Sequence, residues 1–579
     1  MDRKSFLAII LIMTVLVIYQ YYVQVTTPAP APQSDSLTTI VADSALDQPV
    51  KQVITDPVIQ PIVAPKQAAK TPADTAKLAP ERLIEVETDL YKAVISNRNG
   101  VQFKSWLLKG YKTKDTLNYN MVQNNGFSVE LNDWNGNLVT LADYVFTLSK
   151  DTTINEKRQL LFKAPFQDGF IQQLFVFTPG SFEYQWRIAF TGITRNFSGH
   201  YYTIHWKNGL PLAEKQFSED DYYASSLIYI GDEMEIYNDP DDQATAVTGT
   251  NIRWAATRIK YFTAALVPES AKQVKSVTLT GRNEIIGEDT EYKRFNFGID
   301  IHHPQANSED VFRVYMGPLD YDILNQYEEG LDEMVLGSSG YERFFRPFSL
   351  ILLSVLKTLH DFIPNYGLVI ILFSILLKLV LFPLTRSSYK SMSAMKELKP
   401  KMDEINERYK NDAAMKQKKI MEMYKENKIS PLGGCLPMLL QMPVLFAMYI
   451  LFRSTVQLRG EPFFAWITDL SQPDTLFTLP FSLPFYGNEF NILPFLMALS
   501  MFFQQRQTIQ DQSQKMLMYF MPVFLFFVFN SFPSGLNLYY TVFNVLTIAQ
   551  QKFTPTSVPQ AVEEKPKNRK LAIEKKRKK

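Results

Sequence analysis

Residues 365–386 read "NYGLVIILFSILLKLVLFPLTR", an apolar run long enough to cross a bilayer that contains one lysine, Lys378. A charged side chain at the centre of a membrane helix costs roughly 2.5–3.5 kcal/mol on insertion scales, so an amine kept there needs a reason. Ser374 precedes it by one helical turn, and the two project from one face. Three readings compete. The amine snorkels to a membrane surface, although helical side chains lean toward their own N-terminus and here that points away from the nearer end. Alternatively, Ser374 and Lys378 form a nucleophile–base pair, for which no oxyanion-hole motif is recognisable. In the third, Lys378 lines a hydrophilic cavity. Gln441, Asn530, Asn537, Tyr539, Tyr540, Thr541 and Asn544 also lie in apolar segments, and polar groups inside a membrane face a bundle interior or a water-filled space. Pro437, Pro443 and Pro522 interrupt the same segments, and carbonyls they free are tolerated beside such a space.

Around this run the 579 residues divide sharply by composition. Hydrophobic residues make up 46% of the chain, concentrated near the N-terminus and after about residue 343, which describes a membrane protein with a water-soluble insert. Residues 1–25 carry Arg3 and Lys4 ahead of an apolar stretch with no small-residue cleavage site, the pattern of an uncleaved signal-anchor helix. Residues 26–80 are rich in Pro, Ala and Thr and form a flexible linker. Residues 81–335 alternate apolar and polar positions in short runs ended by Gly, Pro or Asn, the signature of an all-β sandwich. Residues 341–362 space Phe344, Phe348, Ile351, Val355 and Leu359 for a helix, with Arg343, Arg346 and Lys357 between them, which suits an amphipathic helix in the membrane interface.

Five further apolar segments, 367–385, 433–452, 491–503, 517–531 and 535–549, make six crossings with the anchor. Segment 386–430 has twelve Lys/Arg against seven Asp/Glu, and 551–579 has ten against three. Both therefore read as cytosolic, as do both termini. The first reads as a helical hairpin turning near Asn411 and Asp412. Met392, Met395 and Met402 lie on its apolar stripe, either offering a surface that re-packs around partners or holding the two arms together. The basic tail, 552–579, suits anionic lipid or ribosomal RNA. No phosphate loop or dinucleotide fingerprint occurs, the five histidines show no metal-ligand spacing, and a single cysteine, Cys435, allows no intrachain disulfide. No cofactor and no enzymatic step are expected, and no DNA partner.

The strings "NYGLVIILFSILLKLVLFPLTRSSYKSM", "NKISPLGGCLPMLLQMPVLFAMYILF" and "FMPVFLFFVFNSFPSGLNLYYTVFNVLTIAQQ" resemble the YidC and Oxa group of membrane protein insertases, and "VYMGPLDYDIL" more weakly resembles the periplasmic domain of the bacterial members. The resemblance implies a β-supersandwich similar to sugar mutarotases, and a five-helix core over residues 363–551 enclosing a groove open to the cytosol and to lipid. Most relatives place arginine where this chain has Lys378; Ser374 falls at a substrate-contacting hydroxyl and Tyr540 at a groove tyrosine. The implied activity is insertion, folding and assembly of membrane proteins in the bacterial inner membrane, without nucleotide hydrolysis. Nascent membrane proteins, the Sec translocon, the ribosome and the lipid bilayer are the expected partners. A secondary transporter using Lys378 as its ion or substrate site is the alternative, and would carry an inverted repeat that is not found.

Overall fold

The computed structural model describes residues 80–553, apart from 114–116, 123–125, 194–197, 241–243, 250, 287–289, 303–306, 337–339, 428–435, 484–485 and 509–514. The expected signal anchor, nearly all of the linker and the basic tail beyond Phe553 lie outside the described residues. The chain forms two compact units, divided near residues 344 and 454.

The first unit is a β-sandwich. A nine-stranded and a six-stranded antiparallel sheet face each other, and a four-stranded sheet begins the domain. Strand Glu183–Thr191 sits inside the larger sheet, between Gly169–Phe177 and Ser308–Pro318. It alternates buried Tyr184, Trp186, Ile188 and Phe190 with half-buried Glu183, Gln185, Arg187 and Ala189, as period-two side-chain geometry requires. The facing strand Tyr201–Lys207 buries Tyr202, Ile204 and Trp206 in the same rhythm. The two sheets meet in the core: Phe127, on the neighbouring strand Gly126–Asn132, lies 5.8 Å from Trp186, and Phe190 lies 5.7 Å from Tyr202, ring to ring. The Tyr202 hydroxyl donates to Asp310 Oδ2 at 2.9 Å. Two short helices, α1 (Phe217–Tyr223) and α2 (Tyr321–Asn325), complete the unit with loops between strands.

Charge is also buried here. Asp220, on α1, is fully enclosed and accepts from the backbone N–H groups of Ala213 and Glu214 at 2.7 and 2.9 Å. Burial, with the Glu214 carboxylate beside it, pushes the Asp220 carboxyl up to about 7, and burial lifts Glu183 to about 7 against the pull of Arg313.

The second unit is helical. Helix α3 (Gly340–Phe362) is followed by the long α4 (Tyr366–Glu397), then α5 (Lys399–Arg408) and α6 (Ala413–Glu426). Helices α7 (Leu436–Ser454), α8 (Ile492–Thr508), α9 (Lys515–Phe529) and α10 (Ser534–Phe553) complete it. Helix α10 packs against both α8 and α4, and α9 against α8. Along α3, Ser349, Leu353 and Leu356 are buried, and the Ser349 hydroxyl donates to the Ala447 carbonyl on α7 at 3.1 Å. Phe348, Ile351 and Val355 stay exposed, so the apolar positions of α3 serve two faces, one against α7 and one turned outward.

One described helix is long and apolar enough to cross a membrane by length and composition, Tyr366–Arg386 with mean hydropathy 2.6; Met518–Phe529 is apolar but shorter. Helices stand at the other expected core crossings but fall short of that measure. Helix α8 has 17 residues, and α10 carries Asn537, Thr541 and Asn544 among its apolar side chains. Beyond the apolar run α4 continues to Glu397, and Pro400 opens α5 in the first turn, where a missing N–H costs nothing. The chain reverses over Tyr409–Asp412, and the Asp412 carboxylate caps α6 by accepting from Met415 N–H at 2.9 Å.

The buried acids set a pH dependence. In the unfolded chain both carboxyls titrate near 4, so the folded domain holds extra protons from there up to about pH 7, and its stability falls as pH rises through that window. For a domain of residues 81–336 the loss should approach about 1.4 kcal/mol per pH unit for each group between roughly pH 5 and 7. Asp220→Asn should remove that residue's share, visible in thermal melts at pH 5, 6 and 7. An unchanged slope in the variant would contradict the assignment.

Candidate functional site

Helix α4 places Ser374 and Lys378 one turn apart on its buried face, at 0% and 7% exposure, while Leu379 and Val380 beside them are more than 60% exposed. The Ser374 hydroxyl is turned back onto its own helix and donates to the Ile370 carbonyl at 2.7 Å. Lys378 Nζ reaches across to α10, donates to Thr547 Oγ1 at 2.6 Å and sits 4.4 Å from the centre of the Phe543 ring. Thr547 in turn donates to the Phe543 carbonyl at 2.7 Å. The cation is held by a hydroxyl dipole and a ring face. Surface snorkelling does not describe this side chain, and the hydroxyl of Ser374 is not directed at it as a nucleophile–base pair would need.

A polar line follows on α10. Asn537, Tyr540, Asn544 and Thr547 recur every three or four residues and so share one face. Asn544 Nδ2 donates to Ser500 Oγ on α8 at 3.1 Å, and Ser500 donates to the Met497 carbonyl at 2.7 Å. Tyr540 meets Phe529 edge-on at 5.6 Å, and its buried hydroxyl has no hydrogen-bond partner among the described residues, nor has that of Tyr539. One turn beyond Thr547 on α10 and two turns beyond Lys378 on α4, Gln550 Nε2 approaches Thr385 Oγ1 at 3.4 Å. Gln441 is half-buried on α7, and no hydrogen bond joins it to Lys378.

Two expectations change. Asn537 donates to the Phe529 and Phe532 carbonyls at 3.2 and 3.3 Å, satisfying groups freed where α9 ends; its amide fastens the turn, and only its Oδ1 lacks a partner among the described residues. In the hairpin, Met402 is buried with Ile420, Met423 and Tyr424, and Met395 packs against the same cluster. These two methionines join the arms instead of offering a surface; the side chain of Met392 lies outside what is described. The Asn530 amide donates to the Tyr486 and Glu489 carbonyls at 3.1 Å, in the turn and second strand of a β-hairpin.

Sequence reasoning missed Thr547, Phe543 and Ser500. Thr547 was reachable, because it continues the spacing of Asn537, Tyr540 and Asn544 by one turn. It also missed how two glycines seat the loop after α7. A Cβ on Gly367 would fall 1.9 Å from the Phe463 ring, and one on Gly535 would meet Phe452 at 2.9 Å and the Leu470 carbonyl at 3.1 Å. Backbone bonds from Gly535 to Leu470 (2.9 Å) and Ser534 to Gln472 (2.8 Å) tie that loop to the start of α10. The starts of α4 and α10 are thus clamped by one loop.

The Lys378–Thr547 contact is measurable as a coupling. In detergent-solubilised protein, Thr547→Val should destabilise by about 1.5–3 kcal/mol, the usual range when a hydrogen bond to a charged group is lost. In a double-mutant cycle with Lys378→Met the two effects should be strongly non-additive. Simple addition would mean that the bond contributes nothing to holding α4 on α10.

Residues 358–561 match the model of the 60Kd inner membrane protein family, and residues 83–336 match that of the YidC periplasmic domain. The chain is 35% identical over 489 residues to a membrane protein insertase YidC of Pelodictyon phaeoclathratiforme, covering 81% of this chain and 82% of that one. It is 32% identical over 573 residues to the protein of that name from Prosthecochloris aestuarii, covering 95% and 94%. Among solved structures it is similar to an active YidC insertase crystallised with its first transmembrane domain resolved, at 18% identity and TM-score 0.35, over 83% of this chain and 96% of that one. A galactose mutarotase-like protein from Lactobacillus casei matches 41% of the chain and 100% of its own at 11% identity and TM-score 0.27. Two family models that together span most of the chain, and relatives above 30% identity along nearly all of it, place it by descent: the chain belongs to the YidC family of membrane protein insertases.

Proposed function

We propose that this protein inserts and helps to fold integral membrane proteins in a bacterial inner membrane, with the line from Lys378 to Tyr540 receiving the hydrophilic flank of the client. The observation that carries the reading is the buried ammonium of Lys378 on Thr547 and Phe543, at the same depth of two neighbouring helices. A hydroxyl and a ring hold the cation in place between the two helices, and a positive charge at that point attracts an acidic segment. The relatives' name supports the same activity. Neither the matched families nor the relatives favour the secondary-transporter reading.

The work is kinetic. A client segment gains about 0.3–0.6 kcal/mol per Leu, Ile, Phe or Val on entering the bilayer, so the end state is favourable; the barrier is moving its polar flank across hydrocarbon. A polar line inside the bundle shortens the dry path, and no nucleotide hydrolysis is required. In this reading residues 1–25 and helices α4, α7, α8, α9 and α10 supply six crossings. The β-sandwich then lies in the periplasm, and the α5–α6 hairpin and both termini in the cytosol, where the basic tail meets the ribosome. The excess of Lys/Arg in 386–430 and in the tail supports this orientation. Cooperation with the Sec translocon is carried by the family resemblance alone.

Insertion by purified protein in vesicles tests the role of the charge, using two clients that differ only in an acidic or a neutral flank. Lys378→Arg should retain activity on both. Lys378→Glu should fail most severely, because like charges then repel in a medium of reduced dielectric. Lys378→Leu should slow the acidic client on the order of tenfold, equivalent to about 1.4 kcal/mol, and the neutral client far less. Equal loss for both clients in the Leu variant would reject Lys378 as a receptor for acidic flanks.

A further inference from the structure

Between α7 and α8 the chain forms a two-stranded antiparallel hairpin, Thr475–Leu483 with Gly487–Asn491. Its composition is unusual for a loop in water. Leu476, Phe477 and Phe481 are 47%, 48% and 58% exposed, and Phe477 stacks on Phe490 at 4.9 Å. The sequence has no lysine or arginine between Arg459 and Arg506. Within the hairpin the one charged residue is Glu489, whose carboxylate accepts from the Thr475 hydroxyl at 3.2 Å.

The base of this hairpin is fixed. Asp474 Oδ2 accepts from the N–H groups of Ile492 and Leu493, at 3.1 and 2.8 Å, and from Trp466 Nε1 at 3.1 Å. It thereby caps the start of α8 and holds the first strand to it. At the turn, Tyr486 lies 5.3 and 5.7 Å from the Phe526 and Phe527 rings of α9. The hairpin is therefore held at both ends to the α8–α9 pair, whose own apolar residues Phe495, Leu499, Val523 and Phe527 are all at least 40% exposed. One exposed apolar surface runs from these helices onto the strands.

We infer that the hairpin Thr475–Asn491 seats in the headgroup–acyl boundary of the leaflet opposite the basic α5–α6 hairpin, with phospholipid as its partner. This rests on the reading of α8 and α9 as membrane crossings. The strand carrying Leu476, Phe477 and Phe481, each about half exposed, has no charged side chain, and it continues the exposed apolar surface of α8 and α9, which in this reading faces lipid. The depth follows from the backbone. Two strands alone leave outer edges of unpaired N–H and C=O groups, which hydrocarbon does not tolerate and the headgroup region does. Aromatic side chains with few charges favour that same boundary.

The test uses the full chain in phosphatidylcholine vesicles, with Cys435→Ser and one new cysteine carrying an environment-sensitive fluorophore. Phe481→Cys reports the hairpin, Val523→Cys on the outward face of α9 the hydrocarbon, and Leu138→Cys in the β-sandwich the water. At Phe481→Cys a nitroxide at lipid carbon 5 should quench more than one at carbon 12, and aqueous iodide should quench at least about threefold less than at Leu138→Cys. Iodide quenching equal to that at Leu138→Cys would overturn the proposal, and so would protection from both quenchers, which would assign the surface to a protein contact. Strong iodide quenching at Val523→Cys would instead reject α9 as a crossing, and the hairpin proposal with it.

Discussion

The arrangement depends on one contact between two helices that run side by side: the Lys378 ammonium on α4 and the Thr547 hydroxyl on α10, 2.6 Å apart. An amine that far into an apolar helix must find polar company or pull the helix toward water. Here the company sits at the matching depth of the neighbouring helix. Register between α4 and α10 and placement of the charge are therefore a single constraint. Thr547 Oγ1 can accept the Lys378 N–H because its own hydrogen goes to the Phe543 carbonyl one turn back, and the Phe543 ring lies beside the same nitrogen.

The far ends of these helices are fixed by different chemistry. There the loop after α7 lies against glycine on both helices, Phe463 on Gly367 and the Leu470 carbonyl on Gly535. Asp474 then caps α8, and Asn530 and Asn537 close the turn after α9. One end of the bundle is thus sealed by backbone hydrogen bonds. Along the interior, polar side chains hold one another more sparsely, with the Tyr539 and Tyr540 hydroxyls and Asn537 Oδ1 lacking hydrogen-bond partners among the described residues. Buried hydroxyls of that kind are costly in hydrocarbon and natural beside a polar guest.

Much of this was legible from residue pattern. The alternation of strands such as Glu183–Thr191 announced a sandwich, and the apolar run ending at Arg386 announced a membrane helix, because a single burial rule governs each. Lys378 stood out because charge in such a run is rare. Its partner did not, since Thr547 is unremarkable until α10 is laid against α4. Asn537 and Met402 stayed ambiguous for one reason: a polar or pliable residue on a helix face looks the same whether it meets a client or its own chain. The β-hairpin escaped notice because the register of its strands shifts twice, between Thr475 and Phe477 and between Thr478 and Leu483, so no regular alternation marks them.

The central claim is that the client's polar flank passes the face of α4 that carries Lys378. Disulfide trapping tests it with Ser374→Cys, one turn from the amine and leaving it intact, in a Cys435→Ser background, against ribosome-stalled clients with single cysteines along the flank and apolar segment. The account predicts adducts between position 374 and flank cysteines ahead of the apolar segment, and at the exposed Val380→Cys adducts with the apolar segment alone. Flank cysteines that never pair with position 374, while Val380→Cys traps the client efficiently, would contradict it.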